Sequence, residues 1–459
     1  MKVNKDNNAL YHALSVDDAL CTGCTHCMTS CPTSAIRIAG GKAVISDKKC
    51  VDCGECYKVC PASAITVRQD DIEMIFKFPV RVILIPSVLI GQFSHKIPLS
   101  FIYKALRETG FTHVYHVENS VDLVLGSYSE YASTTATRPL ISSFCPAIVR
   151  LIQVKYPVLI DNIIKVNPPI DMTALYYRNK LVSSGIKSSD IGIFYATPCA
   201  SKIAAIKSPV GGNSSTVDGV INMNFLFNKI WKNLQSVTDK DKMPITDNLL
   251  TSRGILWSLT RGEASHSKKR ALAVDGMKNV TEILETIEYE NLSGVDFLEL
   301  RACDEGCTGG VLMSGNRFLN VERLLKLASD YAMRPCDRPQ QPDDNFSSLK
   351  SQSYLGDIEP RSIDKLDEEI SVAMKKMERK QEITTMLPGF DCGACGAPDC
   401  QTLSEDIVQE KEKISACVFI RQQMVADGSL EPADALEISE RVWGLYTDRN
   451  KTSTDKSRQ

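Results

Sequence analysis

Between Phe78 and Pro335 the chain alternates two kinds of pattern. Apolar runs such as Val80–Ile85, Val121–Leu125 and Ile191–Tyr195 read as strands buried on both faces. Pro98–Thr109 and Val321–Tyr331 instead space their apolar residues at helical intervals. Strand–helix alternation over about 260 residues predicts an α/β domain with parallel sheets, in two lobes. The most apolar stretch, Phe78 to Phe93, is broken by Arg81 and Pro86. It therefore reads as buried strands with a turn, because a membrane span needs about 20 uninterrupted apolar residues. Ser236–Asp247 is polar and loop-like.

The flanks differ. Cys21, Cys24, Cys27 and Cys31 recur 29 residues later as Cys50, Cys53, Cys56 and Cys60, and Pro32, Ser34, Ala35 and Ile36 recur as Pro61, Ser63, Ala64 and Ile65. Two copies of one small unit, from about Val16 to Asp70, make a domain with almost no conventional core. Asp337 to Arg361 is rich in Pro, Gln, Asp and Ser and reads as a linker. A helix follows, with Leu366, Ile370, Met374 and Met377 on one face, and then a second cysteine-rich segment. The expected organisation is an α+β multidomain chain: a cysteine-repeat domain over 10–74, the α/β domain over 75–336, a linker over 337–364, a helix and small helical cysteine domain over 365–446, and a polar tail over 447–459.

Composition narrows the function classes. With 459 residues, 43% hydrophobic and 24% charged, the chain is neither disordered nor fibrous, and a formal charge of -3 gives no field for nucleic acid. Met1 to Leu10 is polar and carries no apolar signal segment, so a cytoplasmic protein is expected. A reducing compartment keeps thiols available as ligands, which matters because there are 17 cysteines.

Sixteen of them fall into three groups. The first has the C-x-x-C-x-x-C-x-x-x-C-P spacing twice. Three thiolates three positions apart wrap one face of an iron–sulfur cube, and the fourth ligand comes from the other repeat. On that scheme Cys21, Cys24, Cys27 and Cys60 hold one 4Fe-4S cluster, and Cys50, Cys53, Cys56 and Cys31 the other. The segment resembles the bacterial dicluster ferredoxins; a zinc site would leave the third cysteine and the proline of each copy unexplained. Cys392, Cys395, Cys400 and Cys417 form the second group, in DCGACGAPDC and beyond, where Gly393 and Gly396 allow tight turns. Ser404 is the expected N-cap of the next helix, and Cys417 shares an apolar face with Ile407 and Ile414. This group resembles the small 4Fe-4S domains of corrinoid-dependent and membrane redox complexes, with zinc as the alternative.

Cys145, Cys199, Cys303 and Cys307 are scattered, and alone could be unrelated core cysteines. Their contexts are SSFCPAI, TPCASK and ELRACDEGCTGG, the last with two cysteines on one face if helical. These segments, with VENSVDLVL before the first, are similar to the cluster-binding segments of the FeFe-hydrogenases. The resemblance implies that the four cysteines hold a 4Fe-4S cube and that Cys307 also bridges to a two-iron unit carrying carbon monoxide, cyanide and a dithiolate. It makes Lys202 the cation paired with a cyanide ligand and Glu299 the acid opening the third segment, for which a plain salt bridge is an equal reading. Cys307, Lys202 and Glu299 are thus the expected catalytic residues.

The departures from the family pattern are specific. Phe144 stands where active members have a proton-relaying cysteine, Thr197 and Arg301 where they have methionine, Ala205 where they have an acid, and Val311 ends the glycine run early. The combination is similar to the sensory or low-activity branches, which also join a dicluster ferredoxin to a C-terminal 4Fe-4S domain. The implied function is slow, reversible dihydrogen oxidation and proton reduction, or hydrogen sensing, by an FeFe-hydrogenase-like oxidoreductase with four 4Fe-4S clusters and a redox protein partner such as a ferredoxin. The alternative is an electron-transfer or cluster-carrying protein that keeps the central cube and lacks the two-iron unit. Cys336 is left without a role, and His26 is expected to be exposed inside the first cysteine loop.

Overall fold

The computed structural model describes residues 10–211, 214–234, 250–267, 269–289, 292, 294–333, 349–361, 366–367 and 369–444. Cys336, the Ser236–Asp247 loop, most of the Met1–Leu10 segment, the 447–459 tail and the linker positions 337–348 and 362–364 lie outside them. The chain divides into two compact units: residues 1–50, 54–67 and 361–459 form one, and 51–53 with 68–360 form the other.

The smaller unit begins with two antiparallel pairs. β1 (Leu14–Val16) pairs with β4 (Ile65–Val67), and β2 (Ile36–Ala39) with β3 (Lys42–Ile45). The β2–β3 turn is Gly40–Gly41, both at positive φ, the conformation a two-residue hairpin turn requires. Short helices His26–Thr29 and Glu55–Val59 each carry the third cysteine of a repeat. The C-terminal segment adds helices Ile370–Met386, Cys400–Val408, Val418–Ala426 and Pro432–Trp443 around a small core of Ile383, Leu387, Leu403, Val408 and Ala416. It packs on the β2–β3 hairpin: Gly396 O accepts from Ile38 N at 2.9 Å, Arg441 O from Gly40 N and Val442 O from Gly41 N. Arg37 pairs with Asp406 at 2.8 Å and Lys49 with Glu405 at 2.9 Å.

Two expectations for this segment change. The helix Ile370–Met386 forms, but Ile370, Met374 and Met377 are 78%, 62% and 59% exposed, and Ile383 is the residue it buries. The N-cap of Cys400–Val408 is Asp399, accepting from Thr402 N at 2.6 Å, while Ser404 lies buried inside the helix, bonded to Thr384. An aspartate immediately before Cys400, the first helical residue, caps the helix earlier than the serine can.

The larger unit has two parallel sheets, each with its own core. One has the order β6-β5-β8-β9, from β5 (Val80–Ile85), β6 (His113–His116), β8 (Ile191–Thr197) and β9 (Gly219–Asn222). The other has the order β10-β11-β7, from β7 (Leu140–Ile141), β10 (Ala271–Asp275) and β11 (Phe297–Arg301). The helices Leu99–Glu108, Met223–Leu234 and Arg317–Ala332 cover the first sheet, and Pro146–Lys155 and Met277–Tyr289 cover the second. β5 and β8 fall on the predicted runs. Val121–Leu125 does not form a strand: it opens the helix Val121–Thr134, which buries Val121, Val124 and Tyr128 at three- and four-residue intervals. After Pro86 the Phe78–Phe93 stretch also turns helical, over Ser87–Gly91. Residues 349–360 are no free linker. Leu349 and Ile358 are buried, Tyr354 bridges to Val166, and Asn167 N donates to Ser353 O at 2.7 Å. No described helix is long and apolar enough to cross a membrane.

Candidate iron–sulfur centres

In the larger unit each central cysteine segment follows the carboxyl end of a parallel strand, where open α/β sheets place their ligands. β7 leads to Cys145, which precedes the helix Pro146–Lys155; Pro146 at its first position lacks the N–H that would have no helical partner. β8 leads through Pro198 to Cys199 and the helix Ala200–Lys207. β11 leads to Cys303 and to Cys307, which sits in a short 3-10 turn, Gly306–Gly309, rather than on a helix face with Cys303. Helix N-termini at Cys145 and Cys199 favour thiolates, whose negative charge meets the positive helix end.

All four cysteines line one cavity with Cys53, Phe144, Pro198, Lys202, Arg301, Gly306 and Gly310. The glycines make the enclosure: a Cβ on Gly306 would meet Ser258 O at 2.5 Å, and one on Gly310 would meet Pro198 O at 2.4 Å. Burial pushes the Cys145 and Cys199 thiols up, so they need a metal to ionise in place. Four convergent thiols in a walled, glycine-lined cavity fit a 4Fe-4S cube.

Lys202 Nζ lies 3.7 Å from Cys307 Sγ. Burial acts to lower its pKa, but Cys307 and neighbouring groups outweigh that and raise it, so it stays cationic. Its Nζ also lies 4.2 Å from the centre of the Phe144 ring, and the Arg301 guanidinium lies 4.1 Å from the same centre. Phe144 and Lys202 line a second, larger cavity of about 460 Å³ as well, which Cys307 does not reach. With Pro146, which also lines both, these side chains form the partition between the cavities. Glu299, expected in the site, does not line either one. Its oxygens accept from the main-chain N–H groups of Arg261, Glu263 and Ala264 and from Arg301 Nε at 3.1 Å, so it holds a turn and aims Arg301.

Three residues escaped the sequence reading. Glu118, in the quoted VENS run, is fully buried; Oε1 accepts from Ser87 N at 2.7 Å, Oε2 has no partner among the described residues, and burial pushes its carboxyl up to about 7. Asp52 and Arg150 form a buried ion pair at 2.7 Å, and Arg150 also donates to Ala204 O. That pair ties residues 51–53 to the helices that begin beside Cys145 and Cys199. An acid among apolar residues was the available signal for Glu118, but only folding shows that it is buried.

In the smaller unit Cys21, Cys24, Cys27 and Cys60 line a single cavity with Gly23, Ile38, Ala43 and Ile65. Burial, then the neighbouring Cys21, Cys24 and Cys60, push the Cys27 thiol up to about 11. Burial, then Cys31 and Cys27, push Cys56 up to about 12, so Cys31 of the first repeat does approach the second. The repeat extends to the backbone geometry. Ser34 and Ser63 adopt the left-handed conformation, and the following Ala35 and Ala64 N–H groups donate to Cys31 and Cys60 Sγ, both at 3.2 Å. Such N–H···S bonds stabilise thiolate charge. His26 is exposed, as expected. In the C-terminal set burial, with Cys392 and Cys417 nearby, pushes Cys395 up to about 11; Cys417 is buried against Ile407 and Ile414, and Cys392 is exposed.

Comparison with known families agrees with this grouping. Residues 80–252 match the C-terminal domain of the iron-only hydrogenase large subunit, a match that ends before Cys303 and Cys307. The central segment is FeFe-hydrogenase-like. Residues 13–61 match a 4Fe-4S dicluster domain, and 387–419 match an Fe-S cluster family. Among solved structures, an FeFe-hydrogenase studied for stepwise H-cluster assembly shares 15% identity, with 64% of this chain and 98% of that chain covered and a TM-score of 0.47. A variant of FeFe-hydrogenase HydA1 from Chlamydomonas reinhardtii shares 16% over the same proportions, with a TM-score of 0.48. These scores are too low to establish a shared topology. An uncharacterised protein of Methanocaldococcus jannaschii is 31% identical over 67 residues, 15% of this chain, and the chain spans only 30% of that relative's length. The hydrogenase-like segment is thus flanked on both sides by segments that match iron–sulfur cluster families.

Proposed function

We propose that this chain is a hydrogenase-type protein that oxidises or evolves dihydrogen slowly, or reports its presence, with Cys145, Cys199, Cys303 and Cys307 holding a cube and Cys307 bridging to a two-iron unit. The observation that carries this reading is the Lys202 ammonium, 3.7 Å from Cys307 Sγ and set among four convergent thiols. When bound, the two-iron unit would supply the heterolytic splitting of dihydrogen. The residues present suit it: a bridging thiolate, a fixed cation for anionic ligands, and a cavity of about 460 Å³ beyond Phe144.

The chain's own residues govern the protons and the charge. Lys202 and Arg301 compensate buried negative charge, and neither gives up its proton near neutrality. Phe144 cannot carry one. Glu118, whose carboxyl sits near 7 and feels the Lys202 charge, is a described group able to take and release a proton in that range, as is Glu263 beside Arg301. Electrons would pass to a redox protein partner through the N-terminal and C-terminal cysteine sets, twelve cysteines in all.

A second reading is favoured by one observation. Phe144, with two cations packed on its ring, closes Cys307 off from the larger cavity. This supports a cube-only electron-transfer protein. Anaerobic production with the hydrogenase maturation enzymes, followed by infrared spectroscopy, separates the two. Carbonyl and cyanide bands are expected, with about eighteen irons per chain rather than the sixteen of four cubes. Full loading of the cubes without those bands would exclude the dihydrogen reading and leave electron transfer.

A further inference from the structure

The contacts around Gly396 bear on where electrons enter. Gly396 follows Cys395, and its carbonyl accepts a 2.9 Å hydrogen bond from Ile38 N. Ile38 lies in β2, is buried, and lines the cavity of Cys21, Cys24, Cys27 and Cys60. A Cβ on Gly396 would meet Ile38 O at 2.5 Å, and the residue has φ 84. One loop turn earlier, a Cβ on Gly393 would meet Cε of Met28 at 2.9 Å; Met28 follows Cys27 and is fully buried. The loop is clamped on its other side, where Ala394 O accepts from Trp443 Nε1 at 3.0 Å. Both glycines of the C-terminal cysteine loop thus press on residues that form or adjoin the wall of the first N-terminal cavity. One residue layer separates the two cysteine sets.

We infer that the Cys392–Cys395–Cys400–Cys417 set is the outer electron port of the chain and that its next neighbour is the Cys21–Cys24–Cys27–Cys60 set, with Gly396 the positioning residue that fixes their spacing. This rests on reading both sets as 4Fe-4S sites. The step is the movement of one electron from a reduced cluster in one set to an oxidised cluster in the other, with no bond made or broken. An external low-potential one-electron carrier, such as a reduced viologen or a small iron–sulfur protein, supplies it. The exposure of Cys392 suits the outer end, whereas Cys21 and Cys27 are buried. The left-handed glycine suits a spacing that a side chain would widen.

Electron paramagnetic resonance of the fully reduced, cluster-loaded full-length chain tests this through spin–spin coupling, a property independent of turnover. The wild-type spectrum is expected to contain split or broadened features that disappear in the double variant Cys395→Ser, Cys400→Ser, leaving the other clusters unchanged in number. Gly396→Ala, with all irons retained, is expected to reduce the splitting without abolishing either cluster signal. If the double variant loses the C-terminal cluster and the remaining spectrum is identical to the wild type after subtraction, the two sets are not neighbours and the inference falls. Zinc instead of iron at the C-terminal set would overturn the cluster reading there together with the inference; iron without coupling would overturn the inference alone. The double variant keeps the test valid even if Gly396→Ala does not fold.

Discussion

On the proposed hydrogenase reading, Phe144 stands where a proton carrier would be needed. Its ring instead helps to wall off the larger cavity, and the two cations on it make it a costly side chain to move. A cation–π contact away from water contributes roughly 2 kcal/mol. On that reading, a thiol at this position should supply a relay. With the two-iron unit installed, Phe144→Cys is expected to raise dihydrogen evolution from a reduced dye by about 10²-fold or more, since a positioned proton donor contributes about that much. An unchanged rate in a variant with intact infrared bands would show that protons take another route.

Glu118 offers such a route, and its burial has a consequence for stability with a definite sign. Its carboxyl is raised from the ordinary 4.5 to about 7. Between those values the folded state binds more protons than the unfolded state, so stability is lost as pH rises through the window. Below it, the neutral acid carries no charge penalty; above it, a buried carboxylate costs roughly 2–4 kcal/mol more. Glu118→Gln should therefore flatten the fall. In urea titrations of the cluster-loaded protein at pH 5 and pH 8, the wild type is expected to lose more midpoint than the variant. Equal losses would mean that Glu118 is solvated and no proton carrier. Glu263, a second buried acid raised to about 7, moves the wild-type curve the same way, so the difference between the two proteins is the measurement.

At the scale of elements, the cysteine motifs were the most legible part of the chain because their ligand spacing is written in covalent neighbours. The Cys-Pro-x-Ser-Ala repeat reads directly into structure: a left-handed serine, then an alanine N–H donating to the cysteine sulfur. The strands β5 and β8 were equally legible. Val121–Leu125 was not, since five residues with one aspartate fit a buried strand and a helix alike; the burial of Tyr128, beyond the run, decides it. Residues 349–360 misled in the opposite direction. Their polar composition suggested a linker, yet backbone pairing to Lys165 and Asn167 satisfies the chain and lets Leu349 and Ile358 bury. Glu299 shows the limit for the site. Sequence places an acid beside the third cluster segment, but only the surrounding turn of residues 261–264 shows that both its oxygens are taken up by main-chain N–H groups and Arg301.

For the whole molecule, the two units differ in what holds them together. The larger has two parallel sheets, each with its own apolar core. The smaller has two-stranded pairs, helices and, among the described residues, a small apolar cluster in which Cys417 itself takes part. Three of its thiols are pushed up to about 11 or 12, which means that bringing them together without metal leaves protonated sulfurs crowded in cavities. Metal binding there is folding free energy, whereas in the larger unit it is added to a core that already exists. Removing iron with a strong chelator under reducing conditions should therefore melt the smaller unit first. Hydrogen exchange is expected to become fast across β1 to β4 and the helices after Cys400, while β5, β8 and the helix Leu99–Glu108 stay protected. Limited proteolysis should accordingly cut within 10–67 and 369–444 and spare the two parallel sheets. Uniform loss of protection in both units would mean that the central cube, too, is a folding element, and that the hydrogenase-like domain does not hold its cavity open in advance of its cluster.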